Sequence, residues 1–224
     1  VKAIRTLEKC DVIVGYTVYI ELLKEHFPDK RYLTTSMRQE PERCRMAFEE
    51  AKKGAVTAMV CSGDAGIYGM AGLMYEIGEE YPEVAIEAIP GVTAALGGSA
   101  VLGAAVGHDV SLISLSDLLT PWELIEERLR CAAKADFVIC LYNPSSRKRS
   151  TYLAKACELI LEYKSEDTVC GIVKNIAREG EQMQTLTLKE LKETMVDMFS
   201  TVFIGNKQTK VIREKMVTPR GYRI

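Results

Sequence analysis

Short apolar runs alternate with amphipathic stretches along most of this chain. Val12-Ile13-Val14 follows Asp11 and closes at Gly15-Tyr16, which predicts a buried strand. Strands are predicted in the same way over Val56 to Val60, Val84 to Ile89, Val110 to Leu115, Phe137 to Tyr142, Thr168 to Val173 and Thr201 to Gly205. Tyr32 to Thr35 reads as a brief strand and Met183 to Leu186 as an extended edge segment. Helical spacing fills the intervals. Ala3, Ile4 and Leu7 make one short face, and Val18 to Phe27 another that Pro28 stops. Over Pro41 to Lys53, Cys44, Ala47, Phe48 and Ala51 fall at i, i+3, i+4 and i+7, with Gly54 at the C-terminal cap. Met70, Leu73, Met74 and Ile77 point inward from the next helix. Small residues from Ala94 to Gly107 predict a tightly packed helix followed by a connector. Thr120-Pro121-Trp122-Glu123 predicts a capping box with proline at the first helical position. Leu153, Ala156, Cys157, Ile160 and Leu161 mark a further helix, and Thr187 with Glu190 a second capping box.

Strand and helix in alternation predict an α/β fold, and as far as Gly107 a mainly parallel sheet covered on both faces. The Gly/Ala-rich connector is the best boundary, giving two α/β domains, 1–107 and 108–224. An α/β domain ordinarily opens on a strand, whereas this sequence opens in a helix at Val1. The expectation is that residues precede Val1.

The stretch VTAMVCSGDAGIYG, Val56 to Gly69, joins a strand to a helix through a loop of small residues. Such loops lie outside the carboxyl ends of strands, where ligands of open α/β sheets bind. Glycine lets backbone approach a ligand closely. Asp64 argues against phosphate and for a cationic or hydroxyl-bearing ligand. An ordinary strand-to-helix turn, with Asp64 as the helix N-cap, fits the same residues. Three more strands end in a small or polar break, at PGVTA, LYNPSS and VKNIA, so that two breaks lie in each half. Two halves that face their strand ends toward each other would form one cleft suited to a cofactor.

Composition narrows the chemistry. The 224 residues carry a net charge of −2, which gives no support for nucleic-acid or membrane-surface binding. No run is long enough to cross a bilayer. Seven cysteines, odd in number, scattered and without a CxxC pair, predict reduced core thiols in a cytoplasmic protein. Two histidines make a protein zinc site unexpected, and no metal ligand set is assigned. There is no GxGxxG fingerprint, no phosphate-binding P-loop and no GxSxG elbow.

The set SGDAGIYGMAG, IPGVTA, HDVSLISLSDLLTPW and LYNPSSRKR closely resembles the tetrapyrrole methylases, over essentially the whole chain. Within them it is similar to the branch that methylates C17 of precorrin-3B or cobalt-factor III, to which ISLSDLLTPW and GYTVY look specific. The resemblance implies two α/β domains with S-adenosylmethionine (SAM) in the cleft between them, a corrin-precursor substrate with or without cobalt, C17 methylation with ring contraction, and a homodimer. It also implies a first strand and a Gly-Pro-Gly loop, which this sequence does not contain. Carried over residue by residue, it assigns Ser62, Gly63, Asp64, Ile67, Thr93, Ala94, Tyr142, Asn143, Asn175 and Ile176 to the cofactor.

Methyl transfer from SAM needs positioning and exclusion of water more than a catalytic triad. A carboxylate-fringed macrocycle calls for cations, and Arg147 follows the family pattern, whereas Lys148 and Arg149 fit a solvated cluster equally well. Ser114, Ser116 and Asp117 are placed in the substrate cleft, with Asp117 or Ser116 as a turn cap the alternative. Tyr16 and Tyr19 stack on the macrocycle or simply pack at a strand end. Trp122 is assigned to the core. His108 is the candidate for proton transfer during ring contraction or for holding a carboxylate, against a structural role. Rival functions are other methyltransferases of the superfamily, acting on diphthamide or ribosomal RNA, and a SAM- or tetrapyrrole-binding protein without catalysis.

Overall fold

The computed structural model describes residues 1–146 and 148–223. The chain forms two compact units, Val1–Thr93 and Ala94–Ile224. In the first, α1 (Lys2–Lys9) leads into β1 (Val12–Tyr16), α2 (Thr17–Lys24), β2 (Arg31–Thr35), α3 (Glu40–Lys52), β3 (Thr57–Val60) and α4 (Ala71–Gly78). The strands make a parallel sheet ordered β2-β1-β3. β1 is central and its apolar residues are fully covered, as its unbroken Val-Ile-Val run requires. α3 lays Cys44, Ala47 and Phe48 against the sheet, and Phe48 stacks on Tyr81 at 4.7 Å.

Two expectations for this unit are corrected. β3 is half-buried along its whole length rather than buried, because only one of its edges is paired. The segment 84–89 is not a strand. It runs without a ladder partner along a groove of about 570 Å³ whose lining includes Ala58, Met59, Ala85 and Ile86. Val84 and Ile86 nevertheless pack on the Phe48 cluster, which accounts for their apolar pattern.

The second unit holds α5 (Ala94–Leu102), β4 (Gly103–Ala104), β5 (Val110–Ser114), α6 (Trp122–Lys134), β6 (Val138–Tyr142), α7 (Tyr152–Leu161), β7 (Val169–Lys174), β8 (Gln182–Thr187), α8 (Leu188–Glu193), β9 (Ser200–Ile204), β10 (Lys210–Ile212) and β11 (Lys215–Val217). Its main sheet runs β5-β6-β9-β7-β8, parallel between β5 and β6 and antiparallel elsewhere. β8 is an edge strand, as its pattern predicts, and β9 is wholly buried. β10, β11 and β4 form a small separate sheet that the sequence pattern did not indicate.

The division expected at 107/108 falls at 93/94. The small-residue helix α5 belongs to the second unit, where Ala95 and Leu102 join Cys140, Val173, Phe203 and Met216 in one apolar cluster. The close fit comes from absent side chains. A Cβ on Gly98 would lie 2.7 Å from Phe203, and one on Gly171 would lie 2.6 Å from Leu102. The Thr187–Glu190 capping box is present at α8. The one expected at Thr120 is not: α6 begins at Trp122, with Pro121 as N-cap and no side-chain capping bond. Trp122 packs half-buried on the core and donates to Glu126.

All seven cysteines are unpaired. Cys10, Cys44, Cys140, Cys157 and Cys170 are buried, whereas Cys131 is exposed, contrary to the core assignment. Burial pushes the Cys44 thiol up to about 11 and that of Cys157 to about 12, so neither is a ready nucleophile. No helix among the described residues is long and apolar enough to cross a membrane.

Candidate functional site

In the first unit the parallel strands send their loops out of one end. Tyr16, Thr35 and Val60 close β1, β2 and β3 in near register, and the residues after them share that end of the sheet. Gly15 allows this convergence, since a Cβ there would lie 2.7 Å from Val60. Tyr16 and Tyr19 meet edge to face at 5.4 Å. Both are half-buried, so each keeps an accessible face.

The SGDAG loop leaves β3 at the same end. Gly63 adopts φ +79°, a conformation that glycine reaches without cost. Asp64 then binds two stretches of backbone at once. Its Oδ1 accepts from the Gly66 amide at 2.8 Å and its Oδ2 from the Gly91 amide at 2.9 Å. These amides, Gly91 first, hold the carboxyl below the usual carboxylate range. Asp64 is therefore not the N-cap of α4, whose N-cap is Met70 without a side-chain bond. The contact between the two loops is backbone on backbone. A Cβ on Gly91 would lie 2.0 Å from the Gly63 carbonyl oxygen, and one on Gly69 2.6 Å from those of Asp64 and Ala65. The result is a wall built largely of backbone that carries one anion, with Ser62 and Gly63 exposed, Ile67 half-buried and Thr93 buried. Such a surface suits a flat, hydroxyl-bearing, cationic ligand.

The second unit gathers its candidates at one sheet end too. Ser114 and Tyr142 are register partners at the ends of β5 and β6. Asn143 turns through φ +51° and donates from Nδ2 to Ser114 Oγ at 2.9 Å. The Ser116 amide donates to the same oxygen at 3.2 Å. Asp117 accepts from the Tyr152 hydroxyl at 2.6 Å, which raises the tyrosine pKa, and lies 3.9 Å from Arg149. Tyr142 Oη accepts from the Ala95 amide at 2.9 Å and so ties Ala94 at the start of α5 to β6. β7 is antiparallel to β9, which is antiparallel to β6, so β7 runs in the direction of β6 and ends at the same end of the sheet, with β9 between them. Asn175 follows it at φ +53°, and Ile176 packs with Tyr142 on the cluster around Ala95.

His108 is not among these residues. It precedes β5, at the far end of a strand that rises about 13 Å from Val110 to Ser114. Its Nδ1 accepts from the Asp109 amide at 2.9 Å. Arg147 lies outside the described residues. Arg149 is more than a solvated charge: half-buried, it donates to Ser146 Oγ and to the Leu115 carbonyl, whereas Lys148 is exposed. Sequence reasoning passed over Gly91, Tyr152 and Arg43. Arg43 has a visible signal, because it shares the buried face of α3 with Ala47 and Glu50 at i, i+4 and i+7. Among the described residues no group of three or more His, Cys, Asp or Glu could hold a metal ion.

Residues 1–192 match the family described as tetrapyrrole (corrin/porphyrin) methylases. A probable cobalt-factor III C(17)-methyltransferase of Salmonella typhimurium is 46% identical over 222 residues, covering 99% of this chain and 92% of the relative. A cobalt-factor III methyltransferase of Priestia megaterium is 40% identical over 99% of this chain, which spans 42% of that longer protein. Among solved structures, that of the methyltransferase CobJ superposes with a TM-score of 0.87 at 31% identity, covering 96% of this chain and 91% of the other.

Proposed function

Since the chain belongs to the tetrapyrrole (corrin/porphyrin) methylases, we propose that it uses SAM to methylate C17 of a corrin precursor at the precorrin-3 level, with ring contraction, in cobalamin biosynthesis. The two relatives above are named for cobalt-factor III, which favours a cobalt-bearing macrocycle as substrate. The observation that carries the reading is the Asp64 clamp, which holds two glycine-walled loops together and leaves a backbone cradle.

When bound, SAM supplies an electrophilic methyl group on a sulfonium. The residues of this chain have four tasks. Ser62, Gly63 and Ile67 form the cradle, and Thr93 and Ala94 flank it in sequence. Asp64 keeps the cradle closed and leaves negative charge beside a cationic ligand. Tyr142, Asn143, Asn175 and Ile176 complete the cofactor contacts. Tyr16, Tyr19, Ser114, Ser116, Asp117 and Arg147 take the macrocycle, the tyrosines by stacking and Arg147 by pairing with a carboxylate. Holding C17 in line with the methyl group accounts for the acceleration without a general base in the methyl transfer itself. His108, placed apart from the second unit's cluster, receives no step.

We also propose a cytoplasmic homodimer, on the family resemblance and the seven unpaired cysteines. Light scattering giving the 24.9 kDa mass of a single chain at micromolar concentration would overturn the dimer. The activity is tested by incubation with methyl-labelled SAM and cobalt-factor III. Label at C17 of the product supports the reading, and label at another carbon overturns it.

A further inference from the structure

Three charged side chains are buried in the described residues. Glu50 is paired with Arg31 and Lys53, and Lys164 with Asp136. Arg43, 4% exposed, pairs with no carboxylate among the described residues. A buried guanidinium without a counter-charge is costly, and a structural pin of that shape does not need to be a cation.

The partners of Arg43 show where its charge acts. Nε donates to Thr35 Oγ1 and Nη2 to the Ser36 carbonyl, both at 2.9 Å. The guanidinium carbon lies 5.8 Å from the centre of the Tyr16 ring, and that ring carries Tyr19 edge-on. Ser36 is held in turn by Gln39, whose Oε1 accepts from its amide and hydroxyl. One side chain thus links the ends of β1 and β2. With no anion paired to it, it also projects a net positive potential through low-dielectric surroundings.

We propose that Arg43 is a positioning residue for the anionic macrocycle, fixing the Tyr16–Tyr19 ring pair and setting an uncompensated positive charge beneath it. This rests on the proposal that Tyr16 and Tyr19 face the substrate. Arginine is required because a lysine keeps the charge but cannot span Thr35 and Ser36 with one planar fork.

The test uses the purified chain and three measurements: the Kd of S-adenosylhomocysteine by calorimetry, the Kd of cobalt-factor III by absorbance titration, and the Tm. Arg43→Met should weaken macrocycle binding by roughly tenfold, the scale of losing charge-assisted hydrogen bonds, and leave the nucleoside Kd within about twofold. Arg43→Lys should fall between, and Tyr16→Ala should add little on top of Arg43→Met because both act through one ring. Macrocycle affinity unchanged in Arg43→Met overturns the proposal. So does an equal loss for both ligands with a fall in Tm, which would make Arg43 a packing residue. If Arg43→Met does not fold, Arg43→Lys decides by the same split. Unchanged macrocycle binding in Tyr16→Ala alone would show that the substrate-facing reading of Tyr16 fails, and this proposal with it.

Discussion

Asp64 acts on backbone before it acts on any ligand. Its two oxygens fasten the loop after β3 to the turn at Gly91, and the absence of a side chain at Gly91 lets its backbone meet the Gly63 carbonyl. Gly91→Ala would drive a methyl group into the Gly63 carbonyl and force the loops apart. Calorimetry should then show S-adenosylhomocysteine binding weakened by at least roughly tenfold, and unchanged binding would sink the cradle. The Asp64 carboxyl is held below its ordinary value by the Gly91 and Gly66 amides. A depressed native pKa means that the clamp is fully present above the unfolded value, near about 4, and is lost as pH falls through the lower native value. Nucleoside affinity should therefore stay flat from about pH 8 to about pH 5 on this group's account, and a binding titration across that range checks it. At this scale the sequence singled out Asp64 and Gly63 but gave no sign of the bond from Asp64 to Gly91. Residue type and loop context point to a ligand, whereas a bond from residue 64 to residue 91 depends on tertiary contact that local pattern does not carry.

Helix α5 shows how an element can be made of what it lacks. Gly98 brings it against Phe203, and the Ala95 amide reaches Tyr142 Oη only because the helix sits so close. Gly98→Leu should push α5 off β9, cost about 1–3 kcal/mol or more in stability, and weaken nucleoside binding through Tyr142. Chemical denaturation and calorimetry on the same variant would show both losses, and a stable variant with normal binding would refute the coupling. The small-residue run made this close packing legible in advance, though not which unit the helix joins. Periodicity likewise marked the helices and the strands of the β2-β1-β3 and β5-β6-β9-β7-β8 sheets, though none of the small β10-β11-β4 sheet, since an apolar run of four or five residues needs a sheet to bury it. It failed where pairing decides. Thr57 to Val60 and 84–89 are equally apolar, yet one is a half-covered edge strand and the other has no ladder partner. At Thr120 the capping-box pattern is present in sequence, but the helix begins beyond Pro121 and the bond is not made.

For the whole molecule, each unit presents its described candidate residues other than His108 at one end of its own sheet, as ligand sites of α/β folds require. The family was legible from four short motifs, and the match over residues 1–192 and the CobJ superposition agree with it. His108 stands before β5 and so at the opposite end of that strand from Ser114, a placement already carried by the order of the residues along the chain. The central claim is that these residues deliver a methyl group to one particular carbon. The direct measurement is carbon NMR of the product formed from methyl-labelled SAM and cobalt-factor III, together with its mass. One labelled methyl group at C17 of a contracted ring is the expected result. A labelled methyl group on a different carbon would contradict it.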